Sequence, residues 1–253
     1  MQIEDPVPER SPSWPNVWSW VDITLITLSS VLVILLGAWM LASYVDAPAQ
    51  KPGSLPLVYT VSLTALEAIG LVASIFVFGI LRKKLSWADI GLKSTPRRWI
   101  IWALLTSVAV IPILSIVALA IQLALGLPTG NPQLNFLVPD QFNWLGAIGM
   151  VFFGGVAVPI AEELYFRGLL YHWMRQRLSV WIALPLSSVF FGLLHGDIAV
   201  AGATFVIGMV LAWFYERTRS LYASIAIHIF NNTFSLVLLY TLLAAGVDLT
   251  TIV

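Results

Sequence analysis

The 253-residue chain contains no cysteine and few charges, since only 10% of its residues are Asp, Glu, Lys or Arg. Without cysteine it can have no disulfides, no thiolate zinc sites and no cysteine nucleophile. Its 13 basic residues are balanced by 13 acidic ones, so it lacks the basic excess typical of nucleic-acid binding. A soluble domain is about 25% charged. Nucleic acid is therefore excluded as a partner, and a water-facing globular surface is not expected.

Apolar residues are abundant instead, at 59% of the chain with eleven tryptophans. Soluble domains contain about 45–50% apolar residues, and disordered chains contain fewer. We therefore predict an integral, multi-pass membrane protein whose outer surface contacts lipid. Residues 1–22 are acidic and proline-rich rather than basic, which predicts a cytoplasmic tail and not a signal peptide.

Seven apolar stretches approach the length of about 20 residues that a spanning helix needs. They are Ile23–Val45, Leu57–Leu81, Trp99–Leu125, Trp144–Ala161 with its continuation, Val180–Leu194, Ile198–Tyr215 and Leu221–Ala244. The fifth is short, which leaves a re-entrant or tilted helix open at that position. The fold class predicted is an all-α polytopic bundle of about seven (six to eight) transmembrane helices. Residues 23–253 are expected to form one membrane domain without internal repeats.

The positions of the cations predict the orientation, because Lys and Arg concentrate in cytoplasmic loops. With the N-terminus in the cytoplasm, that side holds Arg10, Arg82, Lys83, Lys84, Lys93, Arg97, Arg98, Arg175, Arg177, Arg217 and Arg219, whereas Lys51 alone lies outside. In a bacterium the membrane would be the plasma (inner) membrane. The segment Arg82–Arg98 is expected to be a short helix on the cytoplasmic surface, with Trp87 and Leu92 towards lipid.

Ionisable residues inside apolar spans are costly and are candidates for function. Six are found there: Glu67, Glu162, Glu163, Arg167, His195 and His228. Five of them concentrate in the last four stretches, which is more typical of an active site than of a packing requirement. Glu67 stands by itself in the second stretch, and we expect its carboxyl to be hydrogen-bonded within the bundle.

Glu163 and Arg167 are four residues apart, so on a helix they can form an ion pair. Glu162 points about 100° away from Glu163 and lacks that partner. We therefore predict that Glu163 orients the site and that Glu162 is the general base. The alternative is a packing network in which both carboxylates share Arg167.

His195 and His228 lie in two further helices, and Asn232 shares a helix face with His228. At 1.5 Å per residue, Glu163 and His195 lie about 21–22 Å from the cytoplasmic ends of their helices, but His228 lies only about 10 Å from its own. A tilt, or a deeper start of the last helix, would close that gap. Three other polar residues are given no direct role: His172 at the interface, Asp197 in a loop, and Asn231 as at most a supporting group.

The motifs EExxxR at Glu162–Arg167, FxxxH at Phe191–His195 and HxxxN at His228–Asn232 together resemble the CAAX-processing and bacteriocin-processing (CPBP) intramembrane peptidases, which include the type II CAAX prenyl endopeptidase. The resemblance covers about residues 99–244. It implies an intramembrane endopeptidase acting on a hydrophobic or lipidated, CAAX-like peptide. By the same similarity a water lies in the bundle among Glu162, His195, His228 and Asn232, with Glu163 and Arg167 in support.

The resemblance suggests a mechanism in which Glu162 activates water while His228 and Asn232 donate hydrogen bonds to the oxyanion. His195, His228 and Glu162 could instead bind zinc, leaving one position open for water; the signature HExxH is absent. We favour the metal-free mechanism and assign no cofactor. Two other functions stay open: a non-catalytic immunity or scaffold protein, and a proton-coupled transporter, which the isolated Glu67 would suit.

Overall fold

The computed structural model describes residues 14–44, 56–139 and 141–247. The expectations for Arg10, Val45, Lys51 and most of the N-terminal tail lie outside these residues. Within them every regular element is a helix, and there is no strand. In chain order the helices are α1 (Trp20–Tyr44), α2 (Leu57–Leu81), α3 (Arg97–Leu125), the single turn α4 (Leu134–Leu137), α5 (Trp144–Arg175), α6 (Val180–Leu193), α7 (Ile198–Thr218) and α8 (Leu221–Ala244).

Six of these helices, all except α4 and α6, are long and apolar enough to cross a membrane. The predicted fold class is confirmed, and the chain is an integral multi-pass membrane protein. The predicted and observed bounds agree for α2 and α8, whereas α3 begins two residues earlier and α7 ends three residues later than predicted. Helix α5 is one continuous run that widens into π-helix at Phe153–Ala157 and Leu164–Tyr171.

Apart from the single turn α4, helix α6 is the shortest of the helices described. Its 14 residues span about 21 Å at 1.5 Å per residue, less than the hydrocarbon core of about 30 Å. It ends in the turn His195–Asp197, where Gly196 adopts a positive φ of 77°. Asp197 accepts hydrogen bonds from the first amides of α7, at 2.9 Å from Ala199 and 3.0 Å from Val200. It is therefore the loop residue that the sequence predicted, and it caps a helix.

Several described cations gather at one end of the bundle, called here the cation-rich end and defined by Arg82, Lys83, Arg175, Arg177 and Arg219. Asp22 at the start of α1 pairs with Lys83 at 2.6 Å and with Arg82. Arg175 pairs with Glu216 at 3.0 Å. This clustering is what the predicted orientation requires, although the side of the membrane it faces remains a prediction.

The segment Arg82–Arg98 does not form the predicted surface helix. Beyond Lys83 it runs as turns until α3 begins, and Trp87 and Leu92 pack against the bundle core instead of facing lipid. The Tyr215 hydroxyl donates to the carbonyl of Ile90 at 3.0 Å, and the Leu221 amide donates to that of Gly91 at 2.8 Å. Gly91 has a φ of 102°, a conformation that ends helices and that glycine tolerates best.

Residues 14–19 fold over the cation-rich end before α1 begins. The indole N–H of Trp18 donates to the carbonyl of Gly168 in α5 at 2.8 Å, and the Arg219 guanidinium lies 3.7 Å from the Trp14 ring centroid. His172 is buried, and its Nε2 lies 3.1 Å from the Pro15 carbonyl oxygen. The N-terminal segment therefore covers His172, and its position at the membrane interface stays a prediction.

Candidate active site

The two adjacent glutamates lie in the middle of α5, at the end of the α-helical stretch Val158–Glu163 and immediately before a π-helical one. Such widened turns are frequent at functional sites. The predicted ion pair is present, with Arg167 Nη1 donating to Glu163 Oε1 at 2.6 Å. Both side chains are buried: Glu163 exposes 0% of its side-chain area and Arg167 exposes 2%. Arg167 also donates to the Gly208 carbonyl of α7 at 3.2 Å, which ties the pair to a second helix.

The imidazole of His228 on α8 lies between the two glutamates. Its Nδ1 is 3.0 Å from Glu163 Oε1, and its Nε2 is 3.4 Å from Glu162 Oε2. Glu162 therefore has a neighbour that helix geometry within α5 alone could not identify. Its side chain keeps 12% of its area exposed, compared with 0% for Glu163. Of the two carboxylates, Glu162 is therefore the one that small molecules can reach.

These contacts assign the ring hydrogens of His228. A carboxylate can only accept hydrogen bonds, and Glu163 is the carboxylate paired with Arg167, so Nδ1 of His228 must be the donor in that contact. Nε2 is then the ring nitrogen directed at Glu162. Holding one imidazole nitrogen with a carboxylate to orient the other is the arrangement found in acid–base catalysis. The geometry therefore suits Glu163 to orientation and Glu162 to proton transfer, although these roles remain predictions.

Phe191, for which no role beyond its motif was predicted, joins the separate parts of the site. Its buried ring lies 4.6 Å from the Arg167 guanidinium carbon, and its centroid lies 5.1 Å from that of His195 and 5.7 Å from that of His228. His195 Nδ1 also lies 2.9 Å from the Phe191 carbonyl oxygen. Since a carbonyl only accepts, Nδ1 is the donor and Nε2 of His195 is directed elsewhere.

The depth difference predicted for His228 disappears because α8 starts deep in the bundle. Leu221, its first residue, packs beside Gly168, since a β-carbon at Gly168 would lie 3.4 Å from Leu221 Cδ1. From Gly168 back to Glu163 is about 8 Å, and from Leu221 to His228 about 10 Å, along their helices. The end of α5 that carries Arg175 simply extends beyond the start of α8.

Asn232 and Asn231 lie at the edge of this group. The Asn232 amide donates to the carbonyl of Gly154 at 3.3 Å, in the other π-helical stretch of α5. Asn231 is buried and donates to the Ile227 carbonyl of its own helix at 2.9 Å. The structure thus brings Glu162, Glu163, Arg167 and His228 into direct contact, reaches His195 through Phe191, and places Asn232 one turn further along α8.

Glu67 approaches the site from α2, which the sequence could not show. Thr64, one turn before it, contacts Met150 of α5, and Leu71, one turn after it, packs in a cluster with Val158 and Ala161. Glu67 interacts electrostatically with Glu162. Its carboxyl makes no hydrogen bond to any residue that the structure describes, so the expected hydrogen-bonded carboxyl is not found. A third carboxyl therefore borders the glutamate pair.

The side chains proposed for zinc do not assemble a metal site. Within residues 14–44, 56–139 and 141–247, no group of three or more His, Asp or Glu side chains is placed to hold a metal ion. Nδ1 of His228 faces Glu163 and Nδ1 of His195 faces a backbone carbonyl, so only Nε2 of each ring would be available to a metal. The predicted set of Glu162, His195 and His228 is therefore not placed to act together as ligands of one zinc ion.

Comparison with known proteins supports the resemblance. Residues 144–234, which include all six predicted site residues, match the family model "Type II CAAX prenyl endopeptidase Rce1-like". The chain is also 28% identical over 89 residues to the Bacillus subtilis (strain 168) protein named "Putative membrane peptidase YdiL". That match covers 35% of this chain and 36% of the relative. No solved structure matches the chain significantly. The predicted resemblance to the CAAX-type membrane peptidases is confirmed over this region.

Proposed function

We propose that the chain is an intramembrane endopeptidase that hydrolyses a peptide bond of a hydrophobic or lipidated, CAAX-like substrate with a water activated by Glu162. The similarity of residues 144–234 to the Rce1-like family supports peptidase activity in general. The observation that carries the proposal is the contact of 3.4 Å between Glu162 Oε2 and His228 Nε2. It joins a reachable carboxylate to an imidazole that a buried ion pair holds in place.

Each group then has a chemical task. Glu162 takes a proton from water, the resulting hydroxide oxygen attacks the carbonyl carbon, and the same proton passes to the leaving nitrogen as the C–N bond breaks. His228, held through Nδ1 by Glu163, presents Nε2 to Glu162 during both transfers. His195 directs Nε2 away from its backbone contact and can hydrogen-bond the substrate.

The oxyanion needs a donor that is not already committed. The amide nitrogen of Asn232 carries two hydrogens, and only one is used by the Gly154 carbonyl. Both ring nitrogens of His228 face carboxylates, so the structure favours Asn232 over His228 for this task. Loss of one such donor typically reduces kcat by about 10²–10³-fold.

An apolar cavity, whose lining includes residues two and three positions from His195 in the chain, supports the substrate class. It has a volume of about 420 Å³ and lies between α3 and the α6–α7 hairpin. Its walls are entirely apolar: Ile121, Ala124, Leu125, Val189, Gly192, Leu193, Ile198, Ala201, Gly202 and Phe205. Such a cavity suits an apolar side chain or a lipid modification. With the cation-rich end in the cytoplasm, as the positive-inside rule predicts, this cavity would lie towards the external ends of α3 and α6.

The test compares membrane peptides in cells carrying wild type, Glu162→Gln or Asp197→Asn, with all three proteins at equal abundance. We expect substrates to accumulate uncut only with Glu162→Gln, since Asp197 only caps α7. Purified wild type should retain cleavage without bound metal. Stoichiometric zinc that is lost in a His195→Ala/His228→Ala variant would establish a metalloprotease instead. Identical peptides in wild-type and Glu162→Gln cells under every condition would favour a scaffold protein.

A further inference from the structure

A second cavity lies away from the glutamates, on the outer side of the bundle between the first turns of α3 and the last turns of α7. Its volume is about 370 Å³, and its walls are Arg98, Trp99, Trp102, Thr106, Trp213 and Phe214. Nothing in the proposed mechanism uses this cavity. A volume above about 300 Å³ is typical of small-molecule sites.

Four of the six wall residues are aromatic, and three of their rings pack against one another. The ring centroids of Trp99 and Trp213 are 6.1 Å apart, those of Trp99 and Phe214 are 6.0 Å apart, and each pair meets edge to face. Trp102 and Trp213 still expose 59% and 40% of their surface. In a membrane helix such exposed indoles meet lipid near the headgroup level. The cavity therefore opens towards the bilayer rather than towards the catalytic glutamates.

Two arginines lie at the cavity or against one of its wall residues, and neither has an acidic partner among the residues that the structure describes. Arg98 lines the cavity directly, and the guanidinium of Arg217 lies 5.5 Å from the Trp213 ring centroid. In the part of the chain that the structure describes, neither makes an ion pair, whereas Arg82 and Arg175 both pair with carboxylates. Two uncompensated guanidinium groups above an apolar cavity are complementary to a molecule with an anionic head and an apolar tail.

We propose that this cavity binds an anionic phospholipid, with the phosphate at Arg98 and Arg217 and the start of an acyl chain among Trp99, Trp102 and Trp213. Arginine binds phosphate through paired N–H donors, and basic pockets between transmembrane helices recognise anionic headgroups. A neutral lipid would satisfy the aromatic walls but would leave both cations without a counter-charge.

The inner wall of the cavity adjoins the core of the site. Phe214 and Trp99 pack in the same hydrophobic cluster as Phe166 and Phe191, and Phe191 contacts Arg167 and both site histidines. A bound lipid would therefore stabilise the packing behind the site. Lipid binding at this cavity does not depend on peptidase activity.

The test counts bound lipids by native mass spectrometry on the full chain from mixed phosphatidylglycerol and phosphatidylcholine nanodiscs. We expect wild type to retain phosphatidylglycerol selectively. Each basic residue near a membrane surface contributes about 1 kcal/mol of attraction, so Arg98→Gln/Arg217→Gln should bind about 30-fold more weakly. Lys84→Gln/Lys93→Gln removes the same charge from the same region outside the cavity and should retain the lipid. Trp102→Ala should also lose the lipid. Because the Trp102 side chain is exposed, this substitution should leave the fold intact.

Three outcomes would overturn the proposal. Equal retention of both lipids by wild type would show that charge is not recognised. Equal losses in the arginine and lysine double variants would assign the effect to overall surface charge. Displacement of phosphatidylglycerol by inorganic phosphate alone would identify a site for a free anion rather than for a lipid.

Discussion

Glu163 and His228 are 65 residues apart in the chain, yet His228 Nδ1 lies 3.0 Å from Glu163 Oε1 inside the bundle. The same oxygen accepts from Arg167 at 2.6 Å. One buried carboxylate thus fixes a cation on its own helix and an imidazole on another. Glu163 is therefore the structural centre of the site, while the reachable Glu162 beside it is the residue suited to chemistry.

Glu162→Gln should abolish cleavage and leave the protein folded, because glutamine keeps the shape of the side chain but cannot take a proton. General-base catalysis typically contributes about 10²–10⁴-fold to rate, and a loss in that range is expected. The measurement is peptide hydrolysis by purified protein, with the thermal midpoint in detergent as the folding control. Near-normal turnover would rule out Glu162 as the base.

Glu163→Gln should destabilise the fold as well as reduce activity. The substitution leaves Arg167 buried without its counter-charge, and breaking a buried pair in this way costs about 3–5 kcal/mol. Thermal unfolding of Glu163→Gln and Glu162→Gln, compared side by side, measures the difference. Equal midpoints for the two variants would contradict the structural role assigned to Glu163.

Trp18→Phe tests the contact between the N-terminal segment and α5. Phenylalanine keeps an aromatic ring but leaves the Gly168 carbonyl without its indole donor, and an unsatisfied buried polar group costs about 1–3 kcal/mol. Trp39→Phe is the matched control, since Trp39 is 68% exposed and should change stability little. An equal loss of stability in both variants would show that the hydrogen bond from Trp18 to Gly168 does not contribute to stability.

Gly91→Ala and Gly126→Ala distinguish the cost of backbone strain, which both variants share, from the cost of a steric clash, which only Gly91→Ala adds. Both glycines have positive φ, 102° and 65°, and a side chain in the left-handed conformation costs about 1–2 kcal/mol. A β-carbon at Gly91 would also lie 2.6 Å from Tyr215 Cε2, whereas nothing lies within 4 Å of one at Gly126. Gly91→Ala should therefore lower the thermal midpoint further than Gly126→Ala. The reverse order would contradict the packing of the loop against α7.

The orientation is tested by reporter fusions. A reporter after Lys84 should be cytoplasmic, and one within Gly130–Asp140 should be external, because cations concentrate around the first loop and are absent from the second. Inverted results would reverse the orientation and would move the site's access to the other side of the membrane.

Much of the fold could be predicted because apolar runs determine where membrane helices lie. The bounds of α8 follow directly from its hydrophobic stretch. The loop before α3 could not be predicted, since Ile90 and Gly91 are held by Tyr215 and Leu221, which are more than 100 residues away. Local amphipathic pattern carries no information on such contacts.

The site was predictable as a set of residues but not as a geometry. The Glu163–Arg167 pair follows from spacing within one helix. The contact between His228 and Glu162 depends on where α8 starts relative to α5, and the approach of Glu67 depends on which face of α2 packs on α5. Both are relations between helices. A single sequence gives the residues on each face but not the relative heights of the helices.

The hydrogen bond from Trp18 to Gly168 has a consequence for the order of biosynthesis. The two residues are separated by 150 positions. At about 5–20 residues per second, synthesis reaches Gly168 about 8–30 s after Trp18. During this interval Trp18 and α1 are already made, but the Trp18 indole has no hydrogen-bond partner on α5. The N-terminal segment can therefore dock on α5 only after five helices have been made, and a nascent chain stopped before α5 would present this indole to the machinery that inserts or degrades membrane proteins.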